Sequence, residues 1–499
     1  MHKNAFCVQK VCLLPFLVVP LQPIFNKTFL EMNKKLLIGA AALIVSTSTF
    51  AGGILTNTNQ NATYLRNPAR DAVIAIDGVY TNPAGIAFLP EGAHFSLSWQ
   101  AAWQKRQIMS QHNFYALNAA TPGVTRKEFT GKAQAPVIPS FQFAYVFNDK
   151  WSVSAQFAIG GGGGKCEFDN GLPMFEKLVG GNLASASASS YGLTQNLTGE
   201  QYFYALQVGG TYKVTDKVSV FGGVRGVLAN CAYTGAIANI TANGVPGSAY
   251  LNAVVANLQT QIQNATLAGA PQATIDQLTA AAQTAGTYAY LMQSDFNLDC
   301  SQEGFGITPI IGVDVNLGKW NLAAKYEFRT KIELENKSKN TPNVDAMMPT
   351  YANGAKVRSD IPALFTVGAQ YSPIKAVRLT GGFHLYFDKD AKGTPIKEGK
   401  NTWEASIGAE GDLNEHWTAS FGFLRTQYGF DDADMSDTNF NNSNTSLGLG
   451  GAYKVNDLLK INFGYYHTFY DKHEVTSATG TDTYTRKNDV VGVSLDFKF

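Results

Sequence analysis

Charge is scarce in this 499-residue sequence: only 15% of its residues are Asp, Glu, Lys or Arg, against roughly 25% in ordinary soluble domains. The 39 Lys and Arg nearly cancel the 38 Asp and Glu, so no basic excess favours nucleic acid. Long apolar runs are also missing. Beyond the N-terminal region no stretch approaches the roughly 18 clean apolar residues of a membrane-spanning helix, which excludes a helical membrane protein. Cysteine is rare, at five. No CxxC or His/Cys cluster marks a metal site, and no Ser/His/Asp constellation marks an outer-membrane lipase or protease. No cofactor, metal or catalysis is expected. What the chain does have is 48 glycines and 12% aromatic residues. A transmembrane β-barrel has this profile, because alternation hides its apolar residues from any run-based count.

The N-terminus reads as processed. Residues 1–31 are expected to be an upstream extension beyond the true start. Met32–Ala51 has the form of a secretory signal: Lys34 and Lys35, an apolar stretch over Leu36–Val45, then small residues up to Ala51. The mature chain is expected to begin near Gly52. It keeps Cys166, Cys231 and Cys300, an odd number that permits at most one internal disulfide. Cys231 and Cys300, which flank one long insertion, are the expected pair.

From His94 onward the hydrophobic period is two. Phe95, Leu97, Trp99, Ala101 and Trp103 share one face, and His94, Ser96, Ser98, Gln100 and Gln104 the other; this is the strand signal. Counted to Phe499, fourteen such segments appear, an even number as bacterial single-chain barrels require. Their apolar parity carries no charged residue, whereas the opposite parity holds Arg225, Lys325, Glu327, Arg329, Arg378, Glu404 and Glu410. Charges on the inner face are the arrangement of a wet lumen, and a sandwich would reverse it. All six tryptophans lie on the apolar parity, three of them just after tight turns, as in an interfacial aromatic girdle. His94 and His384 on the inner parity read as solvated lumen histidines. The fold class is therefore an all-β, 14-stranded antiparallel transmembrane barrel over residues 93–499.

Six short connections are expected to face the periplasm and the longer ones the cell exterior. Residues 161–200 and 230–302 read as very long extracellular loops. Within the second, Leu251, Val254, Leu258 and Ile262 recur at helical spacing. Gly269-Ala270-Pro271 breaks the run before Ile275, Leu278, Ala282 and Ala285 resume it. This predicts a helical hairpin over the barrel mouth.

Residues 52–92 precede the first strand and contain Asn82-Pro83-Ala84. That tripeptide, placed just before fourteen countable strands, resembles the NPA motif of the long-chain fatty acid transporter family, the FadL/TodX-type hydrophobic-compound channels. The resemblance covers the whole mature chain. It implies that residues 52–92 form a hatch inside the lumen, with Asn82, Pro83 and Ala84 as its motif. Extracellular loops would capture a hydrophobic or amphipathic ligand, and the lumen would hold it. A shift of the hatch's N-terminus, here Gly52, Gly53, Ile54 and Leu55, would then release it sideways through a gap at a kink in strand three. Arg225, Lys325, Glu327, Arg329 and Arg378 would be the lumen charges facing the hatch. Gly160, Gly161, Gly162, Gly163 and Gly164 follow strand three, and the run reads equally as a lateral-opening hinge or as a mobile loop root at the strand's outer end.

The function implied is passive uptake of hydrophobic or amphipathic small molecules across a bacterial outer membrane, with long-chain fatty acids first and aromatic hydrocarbons second. The expected partners are that ligand, outer-membrane lipid and the barrel-assembly machinery, reached through the terminal Phe499; no nucleic acid is expected, and the chain is expected to be a monomer. Two alternatives stay open: a polar porin, disfavoured by the apolar residues of segment 52–92, and a surface adhesin using the long loops.

Overall fold

The computed structural model describes residues 55–394, 396 and 399–499. Among these, fourteen long strands close a barrel: β1 (Gly92–His112), β2 (Arg126–Val146), β3 (Trp151–Phe168), β4 (Tyr191–Thr215), β5 (Val218–Ala242), β6 (Phe296–Asn316), β7 (Trp320–Glu327), β8 (Leu364–Ile374), β9 (Val377–Tyr386), β10 (Thr402–Asp412), β11 (Trp417–Gln427), β12 (Asn444–Lys454), β13 (Leu459–Tyr470) and β14 (Gly480–Lys498). Each strand pairs antiparallel with its sequence neighbours. The sheet closes where β14 pairs with β1, from His94↔Lys498 to His112↔Gly480. Closure leaves no edge strand, which a bilayer requires because it offers no water to unpaired backbone groups.

The parity expected from the sequence is the observed one. Leu97, Trp99, Trp151, Leu206, Ile307, Trp320, Ile407 and Trp417 are exposed on the outer wall, while Ser96, Gln142, Arg225, Lys325, Glu404 and Glu410 are buried inside. A continuous apolar outer wall around a polar interior is the surface that hydrocarbon demands.

The two long loops are shorter than their expected spans. β3 runs to Phe168 and β4 starts at Tyr191; β5 runs to Ala242 and β6 starts at Phe296. In these outer extensions the apolar face turns inward, with Leu197, Phe203, Ala229, Cys231, Tyr233 and Ile237 buried, so the lipid-facing pattern that marks the strands lower down does not continue into them. The predicted hairpin forms as helices Gly247–Leu267 and Gln272–Leu291. Its burial is confined to residues near the base, Leu251, Ala285, Ala289 and Leu291, and Leu267 near the tip is 86% exposed. Cys166, Cys231 and Cys300 are free thiols. The expected Cys231–Cys300 bond is absent because the residues sit diagonally across β5 and β6, with Cys231 opposite Gln302 and Cys300 opposite Tyr233. Diagonal neighbours lie about 7–8 Å apart, beyond normal disulfide reach.

Candidate functional site: a filled lumen beside a break in the wall

The lumen is occupied by residues 55–91, nearly all buried. Asn61 starts a short helix, Ala62–Arg66, by accepting from the Thr63 amide at 2.9 Å. Its amide group also donates to Gln142 at 2.8 Å and Ser96 at 3.1 Å on the inner wall. The helix lies directly on backbone. Gly450, Gly464 and Gly492 face one another across β12, β13 and β14. A Cβ at Gly464 would come within 2.7 Å of the Leu65 side chain. Glycine is needed there to let the two chains approach.

Ion pairs lock the same segment. Arg66 donates to Glu410 at 2.5 Å and to Ser420. Arg70 reaches Asp77 at 2.6 Å and Glu410 at 3.1 Å. Such buried charges are tolerable only when each is matched and hydrogen-bonded. Asp71 meets His384 Nε2 at 2.9 Å, while His384 Nδ1 faces Glu404 at 3.0 Å. Tyr386 and Thr426 also donate to Glu404, each at 2.7 Å. His384 is thus a buried clasp between hatch and wall, and not the solvated histidine expected. His94 too is buried, against the Pro90 carbonyl at 2.8 Å. Both histidines read as solvated in the sequence because the side chains that cover them come from the hatch and its junction with β1.

Each residue of the NPA tripeptide has a local reason. The Asn82 side chain caps the 3-10 turn Pro83–Phe88 through the Gly85 amide at 3.2 Å and donates to Asp314 at 2.6 Å. Proline suits the first helical position, having no amide to leave unpaired. Its carbonyl accepts from Thr211 at 2.9 Å, and that of Ala84 from Ser219 at 2.7 Å. Ala84 packs with Phe221 and Ile310, where little room remains for a larger side chain.

Of the five lumen charges named from the sequence, three meet the hatch directly or as one cluster. Lys325 donates to the Tyr80 carbonyl at 2.7 Å and lies over its ring at 4.1 Å. Arg225 lies over the same ring at 5.1 Å and pairs with Glu327 at 2.6 Å; Lys325 also pairs with Glu327, at 2.7 Å. Arg378 acts one step removed, on Glu410 at 3.5 Å and Asp412 at 2.7 Å. Arg329 does not face the hatch: it lies past the end of β7 and reaches Asp360 at 3.8 Å and the Asp390 carbonyl. Its parity is right but its height is wrong, and parity carries no height. The sequence reading put His384 on the inner parity but not against the hatch, and it did not single out Asp314 or the Glu410 partners Arg66 and Arg70, since their roles depend on which hatch residue arrives opposite.

The wall itself is interrupted. Between β2 and β3 the ladder stops at Gln134↔Lys165 and resumes only at Ser140↔Ala158. Pro136 and Pro139, in the interrupted stretch of β2, lack amide donors. On the other side of β3 the register with β4 slips between Ile159 and Gly161 and again between Gly162 and Gly164. Gly162 and Gly164 have φ of +80° and +75°, a conformation glycine adopts without strain. The glycine run therefore lies inside β3, not at its outer end as the sequence reading placed it. Gly160 accepts from the Asn57 amide at 2.9 Å, and Ile159 from the Asn57 side chain at 3.2 Å. A methyl group on Gly161 would overlap the Leu55 carbonyl, at 2.2 Å. The described start of the hatch thus rests on the kink. Gly52, Gly53 and Ile54 lie outside the described residues, as do residues 1–51. Tyr64, Ala102, Ala135, Ile138, Ile159 and Tyr466 line an apolar patch beside the break.

A second apolar space opens among the long loops, at the end of the barrel opposite the short turns. It is a cavity of about 320 Å³ lined by Met174, Phe175, Leu178, Met347 and Met348, with Lys177 and Asn182 also on its wall. Lys177 is tethered to Asp482. Buried apolar packing is continuous from this region, through Leu298 and Phe168, to Leu55 at the kink. Beside it, the loop 428–443 turns into the mouth, where Arg106 and Arg486 donate to the Phe440 carbonyl. The cavity was not foreseen, although methionines in charge-poor loops were its available signal.

No protein-family model matches this chain, and no curated protein matches its sequence. Solved structures do match its shape. A Pseudomonas aeruginosa FadL homologue superposes with a TM-score of 0.60 at 12% identity, over 89% of this chain and 99% of that one. The P. putida toluene transporter TodX gives 0.55 at 14% identity, over 85% and 94%. The Ralstonia pickettii toluene transporter TbuX gives 0.51 at 15%, over 88% and 100%. At these identities the likeness is one of architecture: the chain has the transmembrane barrel fold of this FadL homologue and of the two toluene transporters.

Proposed function

We propose that this protein is an outer-membrane channel for passive uptake of hydrophobic or amphipathic small molecules, with long-chain fatty acids as the first substrate class and monoaromatic hydrocarbons as the second. The observation that carries the reading is the break between β2 and β3, with Leu55–Asn57 seated on the kink beside it. A filled lumen is a poor path for water-soluble solutes, whereas an opening in the wall delivers an apolar molecule directly into hydrocarbon. The loop cavity is the capture site in this scheme. Its methionines adapt to varied apolar shapes, and Lys177 with Asn182 suits a carboxylate head. The ligand then passes to the apolar patch around Tyr64 and Tyr466. Movement of the hatch's N-terminal end, including Gly52, Gly53 and Ile54, frees the exit, with Gly160–Gly164 as the hinge. The chain acts without catalysis or cofactor, as a monomer, and Phe499 is the signal to the barrel-assembly machinery. A rival surface-binding role rests on the exposed hairpin at residues 247–291.

The test is uptake of labelled oleate and of toluene by cells expressing the mature chain, a variant lacking residues 52–56, and Gly161→Val. Both variants are expected to fold in the outer membrane and to lose most uptake, because each disturbs the contact between Leu55 and the kink. Uptake by the intact chain no greater than that of empty cells, for both compounds, would sink the proposal.

A further inference from the structure

We infer that the outer wall carries a binding site for one phosphorylated, acylated lipid of the outer leaflet, of the lipopolysaccharide class, on β14, β1 and β2. The inference rests on the outer-membrane placement proposed above and concerns the lipid side of the wall, not the transport path. Its first support is a row of cations in register. Lys105 sits directly opposite Lys487 on β14 and directly opposite Lys132 on β2. All three are exposed on the outer wall. Like charges facing one another across strands are unfavourable unless something compensates them. Lys105 has one carboxylate, Glu128 at 3.3 Å, which also accepts from Gln107 at 2.7 Å. Lys132 and Lys487 have no ion pair within 4.0 Å among the described residues, although Glu167 is the register partner of Lys132 on β3. The other acids nearby are engaged: Glu167 with Lys165, and Asp489 with Tyr465 at 2.6 Å and His467 at 2.7 Å.

The second support is height. Trp103 lies one step below Lys105 on the same face, and its register partner is Asp489. The row thus sits at the extracellular rim of the apolar belt, at the level of lipid headgroups. The third is a groove on the membrane face beneath it. A depression of about 380 Å³ is lined by Trp99, Leu449, Phe463, Tyr465, Val491 and Val493. At about 3.3 Å per residue, Val491 is roughly 13 Å below Lys487 along β14. That separation suits a lipid whose phosphates meet the lysines while an acyl chain fills the groove. A free phosphate would use only the upper half, and a zwitterionic phospholipid would place its own amine against the row.

The experiment uses the folded full barrel in detergent, with lipid retention read by native mass spectrometry. The probes are bisphosphorylated lipid A, its dephosphorylated form and phosphatidylethanolamine, with millimolar inorganic phosphate as competitor. The intact protein is expected to retain bisphosphorylated lipid A selectively, and inorganic phosphate is expected not to displace it. The triple variant Lys105→Gln, Lys132→Gln, Lys487→Gln is expected to lose roughly 10- to 100-fold in retention, from the contribution each basic residue makes near an anionic surface. Val491→Trp, which fills the groove but keeps the lysines, is expected to weaken retention as well. Heat-modifiable migration on gels verifies that each barrel is folded. Equal retention by the triple variant overturns the site, and full displacement by inorganic phosphate overturns the groove half of it. Failed fatty-acid uptake would leave the retention result standing, so the two readings fail separately.

Discussion

At the scale of single residues, the long loops contain carboxyls whose burial has a measurable consequence. Asp437 accepts from the Met174 amide at 2.5 Å and from Tyr484 at 2.9 Å, so it ties the segment lining the loop cavity to the barrel. Burial pushes its carboxyl up to about 6, opposed by Lys177 and reinforced by Asp482. A carboxyl raised in the folded state favours folding when protonated. Its contribution is full below the unfolded value near 3.9 and is lost as pH rises through about 6. Amide hydrogen exchange of residues 173–185, corrected for intrinsic rates, is therefore expected to quicken between pH 5 and pH 7. Asp437→Asn is expected to flatten that dependence. An unchanged profile in the variant would assign the effect to another group.

At the scale of elements, the wall and the insertions differ in how legible they were. All fourteen strands were readable because a bilayer forces one face to be apolar at every second residue, from Phe95 through Trp417 to Phe497. Beyond the membrane that constraint ends, so the outer thirds of β4 and β5 read as loops although they continue the ladder to Tyr191 and Ala242. The hairpin was legible in its helices and its Gly269-Ala270-Pro271 break, since the periodicity is local. How little of it packs on the barrel was not, because that depends on which few residues meet the rim. The hairpin's own contacts with the barrel involve mainly its base, so replacing residues 249–290 with a short Gly/Ser linker is expected to leave barrel folding intact. Because Tyr288 lines the loop cavity, the same deletion is expected to weaken capture, seen as a higher half-saturating concentration in the uptake assay. Unchanged concentration dependence would show that capture occurs elsewhere.

At the scale of the whole molecule, the hatch and barrel are joined by buried ion pairs, so a single substitution acts on their union. Glu410→Gln leaves Arg66 without its nearest carboxylate and Arg70 with Asp77 only. Breaking a buried pair by removing one partner costs about 3–5 kcal/mol. Protection of residues 61–72 from hydrogen exchange is expected to fall by orders of magnitude while the strands stay protected and the barrel stays closed. Loss of protection in hatch and strands together would mean that the two fold as one unit.

Much of the site follows the same division. Asn82, Pro83, Ala84, Arg225, Lys325 and Glu327 could be named from the sequence because a short motif and strict parity mark them. Asp314, the Asp71 partner of His384 and the Glu410 partners could not, since nothing in the local sequence tells which of some thirty-seven hatch residues, 55–91, will lie opposite. By itself the sequence determined the barrel, its strand number and the division of each strand into an apolar and a polar face. These follow from period-two burial, which each segment expresses independently of the others. Only the tertiary structure decided the break beside Gly160–Gly164, the clasp on His384 and the rim of Lys105, Lys132 and Lys487. Each depends on which residue arrives opposite, in the ladders of β3 with β2 and β4, in the seating of Asp71 against β9 and in the closure of β14 on β1, and a shift of one residue would erase it.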